Sequence, residues 1–199
     1  MDQTLGPQGL GARISVYREA AITVWSGAFV DDVIAKLDDE TRDVFRVGAV
    51  LPEWVPERFF TAFIDALASA VSGDLTNAAY LRWVDIVIDR GFGESRGLFT
   101  SLANPFFVLR RAQELWNSEH TTGTLVNAPL GTHSTRLTLR DHPLLGTAAT
   151  RAALAESFRH IIQMTGAHEV TATHEFTSDG HLHVVIGWSE PTPADPNDA

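Results

Sequence analysis

Between His168 and Trp188 the chain reads HEVTATHEFTSDGHLHVVIGW, an alternation of apolar and polar positions that predicts a β-hairpin. The turn decides which side chains face inward. A plain two-residue turn at Asp179-Gly180 leaves both faces mixed. A type I turn over Thr177-Ser178-Asp179-Gly180, with Gly180 as the left-handed bulge residue, separates them. One face then carries Val170, Ala172, His174, Phe176, Leu182, Val184, Ile186 and Trp188. The other carries Glu169, Thr171, Thr173, Glu175, His181 and His183. A slip of one residue would scramble this division, so the second register is the expected one.

Upstream, apolar residues recur at helical spacing. The segment 10–24 mixes helix formers with β-branched residues and is read as a helix. Ser26 caps a helix bearing Phe29, Val33 and Leu37, and Asp38 or Asp39 caps a short one that runs through Phe45 to Gly48. LPEWVP is read as a turn, with Pro56 opening a helix whose stripe is Phe59, Phe60, Phe63, Ile64, Leu67 and Val71, stopped by Gly73. A helix from Thr76 to Arg90 turns Tyr80, Leu81, Val84 and Ile88 inward, and Gly91-Phe92-Gly93 breaks the chain. A short helix follows over Ser95–Leu102. Asn104-Pro105 then starts a helix to about Glu119, with Phe106, Leu109, Gln113 and Trp116 in register.

Beyond Gly123 the period becomes two. Strands are expected near 124–128 and 133–140, a helix over Thr147–Thr165 ended by Gly166, and then the hairpin. The order is helices followed by β-β-α-β-β. This predicts an α+β fold with helices on one face of a four-stranded antiparallel sheet. Residues 1–190 are expected to form one globular domain, and the Pro- and Asp-rich 191–199 a disordered tail.

Composition narrows the partners. A formal charge of −10, from 25 acidic and 15 basic residues, disfavours nucleic acid and anionic membranes, because phosphate binding needs clustered cations. There is no cysteine, which excludes thiolate-ligated metals, disulfides and a thiol nucleophile and fits the cytoplasm. No apolar run approaches the roughly 18–20 residues of a membrane span.

Several landmarks carry a resemblance. They are Trp54-Val55-Pro56 before a helix, Asn104-Pro105 followed by Leu109-Arg110-Arg111, then Trp116, Gly123, Gly166-Ala167 and the hairpin ending at Trp188. In order and spacing, over about residues 13–188, they resemble a myxobacterial paralogous family of proteins of roughly this length. More remotely, the element order is similar to a superfamily of vinyl-reductase-type sensor domains, TRAPP tethering subunits and haem nitric-oxide/oxygen-binding domains. That kinship implies an apolar ligand in the core or a protein partner. The haem-binding members share a tyrosine-x-serine-x-arginine motif and a helical proximal histidine. Here Thr132 stands in place of the tyrosine of Thr132-His133-Ser134-Thr135-Arg136, and the 105–119 helix holds no histidine, so no haem is expected.

The candidate chemistry is sparse. No Gly-x-Ser-x-Gly elbow anchors a hydrolase, and Gly91–Gly97 does not follow a strand, so it fits no nucleotide-binding context. His181 and His183, with Glu175 opposite His183, are a weak metal-ligand set on a wet face. His174, on the apolar face, is either a hydrogen-bonded core imidazole or a polar contact in a pocket. Such a pocket is expected between the sheet and the 105–119 helix, lined by Phe106, Leu109, Trp116, Leu137, His174 and Phe176. The expected function is a non-enzymatic cytoplasmic sensor or adaptor that binds an apolar small molecule or a protein partner, with no cofactor. The alternatives are a tethering module that forms a homodimer through an apolar helix face, and a metalloprotein using the C-terminal histidines.

Overall fold

The hairpin has the register that separates its faces. In the computed structural model, which describes residues 6–46, 52–71, 73–92 and 104–189, Gly180 has φ +82° and its N–H donates to the Thr177 carbonyl at 3.0 Å. Strands β5 (His168–Phe176) and β6 (Leu182–Ser189) therefore pair Phe176 with Leu182, His174 with Val184 and Glu175 with His183. Strands β3 (Thr124–Gly131) and β4 (Ser134–Arg140) complete an antiparallel sheet of order β3-β4-β6-β5. Leu182, Val184 and Ile186 are fully buried on its inner face, as the alternation requires.

The long helix between the two halves of the sheet, Ala148–Met164, is capped by Thr147, whose hydroxyl accepts from the Thr150 N–H. Its small residues Ala149, Ala152, Ala153 and Ala155 let it sit close, with Phe158 and Ile162 in the core. It lies on β5 and β6. The N-terminal helices α1 (Arg13–Val24), α2 (Gly27–Ile34) and α3 (Asp39–Val44) lead to α4 (Arg58–Ala70) and α5 (Ala78–Phe92). Ser26 and Asp38 accept from backbone N–H groups as read from the sequence. Phe45 stacks on Phe63 at 4.4 Å, and Trp83 lies edge-on to Tyr17, so one apolar core joins these helices to the sheet. Among the described residues no helix is long and apolar enough to cross a membrane.

Four features differ from the sequence-based reading. LPEWVP is not a turn. Trp54–Pro56 forms β2, which pairs with β1 (Gln8–Leu10) through Gly9 opposite Val55, and Pro56 ends that strand rather than opening a helix. Second, Gly91 does not break α5, which runs on to Phe92. A Cβ there would lie 2.1 Å from the Arg13 guanidinium, so the glycine serves a close approach. Third, the expected 105–119 helix is two, α6 (Pro105–Arg110) and α7 (Ala112–Asn117), separated by Arg111 at φ −104°, ψ 10°. The bend buries Leu109 and Trp116 together but leaves Phe106 and Phe107 exposed. Asn104 still caps the first of them. Fourth, His174 and Phe176 point to the inner face but lie exposed, because β5 is the edge strand. The Arg151 guanidinium lies over the Phe176 ring, 4.3 Å from its centre, and the residue stays exposed. With these elements placed, the helix Ala148–Met164 is α8. Gly48, the helix expected at 95–102 and the 191–199 tail lie outside the described residues.

Candidate ligand site

Two short strands build the site. The β1–β2 ribbon presses Gly9 against the start of α4, where Glu57 follows Pro56 and its N–H donates to the Pro7 carbonyl at 3.0 Å. Glu57 is 1% exposed, and a Cβ on Gly9 would lie 2.8 Å from its Oε1. Glycine is thus the residue that lets a carboxylate be buried there. On the other side Gly9 bridges His120, which ends the turn after α7.

His120 donates from Nδ1 to Glu57 Oε1 at 2.6 Å, and its ring stacks on Trp116 at 4.0 Å. Trp116 is fixed in turn by its Nε1–H, which donates to the Thr122 carbonyl at 2.7 Å. Gly123, at φ +96°, follows directly, and a Cβ there would lie 2.8 Å from Trp116 Nε1. His142 arrives from the end of β4. Its Nδ1 accepts from the Leu144 N–H at 3.2 Å and so caps a 3-10 turn over Pro143–Leu145. Its Nε2 lies 3.5 Å from Glu57 Oε1.

Burial pushes the Glu57 carboxyl up, but the hydrogen bond from His120 and the nearby His142 ring outweigh it, and the net shift is below the ordinary glutamate value. Burial pushes His142 below the ordinary histidine value, and the Glu57 carboxylate only partly offsets it. Because Nδ1 accepts, the proton sits on Nε2 and faces the carboxylate. Burial also raises the Tyr17 phenol.

A cavity of about 120 Å³ opens beside this cluster. Tyr17, Phe60, Leu109, Leu137 and Phe158 form much of its wall, and Glu57, His120 and the paired Arg13 and Glu119 supply the polar groups. Of the six residues read from the sequence as a pocket, Leu109, Trp116 and Leu137 line this cavity. Phe106 instead packs edge-on against Trp188 at 5.5 Å, and His174 and Phe176 lie on the exposed edge strand. The hairpin metal set is not assembled. His181 pairs with Asp179 at 3.2 Å and His183 with Thr138 at 2.9 Å, while Glu175 is exposed. Among the described residues, the group whose ligand atoms converge is Glu57, His120 and His142, which the sequence reading did not single out.

No protein-family model and no curated protein matches the sequence. Solved structures do resemble the fold. The unliganded Fe(II) H-NOX protein of K. algicida superposes with a TM-score of 0.67 at 10% identity, covering 94% of this chain and 100% of that one. An oxygen-binding H-NOX domain related to soluble guanylate cyclases gives 0.62 at 9% identity over 91% and 95%, and a T. Tengcongensis H-NOX variant gives 0.62 at 10% over 92% and 98%. The chain therefore has an H-NOX-like α+β fold. The haem named for such proteins does not fit the residues described. A cavity of about 120 Å³ falls well short of the roughly 300–1,000 Å³ that hold drug-sized ligands.

Proposed function

We propose that the chain is a non-enzymatic sensor or adaptor domain of the cytoplasm that holds a small, mostly apolar molecule in the cavity beside Glu57. The observation that carries this reading is the cavity itself, with aromatic and aliphatic walls and a few polar groups gathered at one end. That is the usual composition of a ligand site. An apolar cavity of about 150 Å³ is enough to bind benzene. The H-NOX-like fold supports the reading as an analogy of architecture, since a fold hosts many functions. The landmarks from Trp54-Val55-Pro56 to Trp188 support, as part of the same proposal, kinship with the myxobacterial paralogous family they resemble.

Intact full-length protein, treated with chelator and sprayed under native conditions, is expected to retain a small organic molecule. Added benzene or indole is expected to raise the melting temperature. Saturation at about 100 times Kd corresponds to roughly 2.7 kcal/mol of stabilisation. Leu154→Trp, which fills the cavity from α8, should abolish that shift while the protein still folds. No retained molecule and no shift with either probe would overturn the reading.

A tethering or dimerising module is favoured by a different observation. Val126 and Leu130 are 44% and 49% exposed on β3, an edge strand of the sheet. That reading predicts a concentration-dependent dimer in sedimentation, lost in Val126→Lys and independent of any cavity ligand.

A further inference from the structure

We propose that Glu57, His120 and His142 form a binding site for a divalent transition-metal ion of the zinc or iron class. The site is separate from the hairpin histidines and does not depend on the small-molecule reading. Three segments far apart in sequence deliver one carboxylate and two imidazoles, and their ligand atoms all lie within 4.8 Å of one another. The side chains of Glu57 and His142 are 1% and 0% exposed. Glu57 Oε2 and His142 Nε2 are buried without a hydrogen-bond partner. Native proteins rarely leave such atoms unsatisfied, and here two of them meet in one cluster.

The donor set selects the class of ion. Two nitrogens and one carboxylate oxygen suit zinc, iron, cobalt or nickel, whereas calcium and magnesium prefer oxygen alone. The surroundings hold the ligands in place. Trp116 stacks on His120 and lies edge-on to His142 at 4.8 Å, and Gly9 and Gly123 allow the backbone to close around them. Glu57 and His120 also border the cavity, so an ion here is within reach of whatever the cavity holds.

Without metal, the Nε2 proton of His142 faces Glu57 while Nδ1 accepts from Leu144. An ion at Nε2 takes that proton's place, and the neutral ring then carries its proton on Nδ1. That proton opposes the Leu144 N–H, so the cap on the Pro143–Leu145 turn is released. His120 likewise moves its proton from Nδ1 to Nε2 when Nδ1 binds the ion. Metal binding is therefore coupled to a specific backbone amide.

The test uses full-length, chelator-treated protein and the metal alone. Titration with Co²⁺ is expected to show one ion per chain, ligand-field absorption in the visible and quenching of the Trp116 fluorescence. Zn²⁺ is expected to compete and to shift the Leu144 amide resonance. His120→Gln and His142→Gln should each weaken binding at least tenfold, the low end of what even outer partners of a metal ligand cost. The hairpin double variant His181→Gln/His183→Gln should bind as the unaltered chain does. Folded protein that takes up no stoichiometric metal would overturn the proposal. So would binding that survives His142→Gln and disappears in the hairpin variant. If His142→Gln fails to fold, the ring-nitrogen resonances of the unaltered protein decide. Shifts of both His120 and His142 on adding Zn²⁺ support the site, and unmoved signals overturn it.

Discussion

Replacing Trp116 by alanine is expected to cost about 3–5 kcal/mol of stability, the range for deleting a buried large aromatic. The ring is 6% exposed and does three things at once. It walls the cavity, stacks on His120 and ties the turn through its bond to the Thr122 carbonyl. Next to an existing void the surroundings have little to collapse onto, so the removed volume should persist as a larger cavity. Urea unfolding with the slope m unchanged would give the loss directly. A loss near 1 kcal/mol would show that the ring borders open space rather than a packed wall. Trp116→Phe should recover most of the packing but not the indole hydrogen bond.

Glu57→Ala is expected to be comparably severe, about 3–5 kcal/mol, because removing one member of a buried polar pair leaves the others unmatched in low dielectric. His120 loses its acceptor, His142 loses the carboxylate its Nε2 faces, and a void opens beside Gly9. Glu57→Gln should cost less, since the amide oxygen still accepts from one imidazole. The same group shapes the pH dependence. Glu57 is held below its ordinary value of 4.5, so its contribution is complete above that pH and is lost as the pH falls through the lower folded value. His142 is held below 6.5, so acidification past 6.5 protonates the unfolded chain first and also lowers stability. Both groups give a stability that declines with acid, in two stages. In Glu57→Ala the stage below 4.5 should shrink. The stage below 6.5 should steepen, because His142 has lost the carboxylate that partly offsets its burial. Melting curves between pH 4 and 8 would separate the two stages.

What could be read from the sequence was local. Gly180 fixes the hairpin register within four residues, and Ser26, Asp38 and Asn104 cap helices by accepting from an N–H three residues ahead. The fold class followed from these signals and from the two periodicities. The cavity wall was partly legible because Leu109, Trp116 and Leu137 sit in strong apolar patterns. His174 and Phe176 misled, since alternation gives the face of a strand but not whether anything covers its far end. The bend at Arg111 misled in the same way, for a continuous apolar stripe is compatible with one helix or two. Glu57, His120 and His142 lay in no periodic pattern. Glu57 sat in what reads as a turn-to-helix boundary, and the strands that place it are three residues long, too short for alternation to register.

The β1 ribbon has a consequence for how the chain folds. Gln8 bonds Thr121 across 113 residues of sequence, and Glu57 meets His120 across 63. The hairpin turn closes across only four. Bringing distant segments together costs loop entropy that local contacts avoid. The helices and the β5–β6 hairpin should therefore organise first, and the junction of Gly9, Glu57 and His120 last. In refolding, the Trp116 environment should mature after far-ultraviolet circular dichroism has returned. The parts of the chain that give it secondary structure would then form before it has anywhere to hold a ligand.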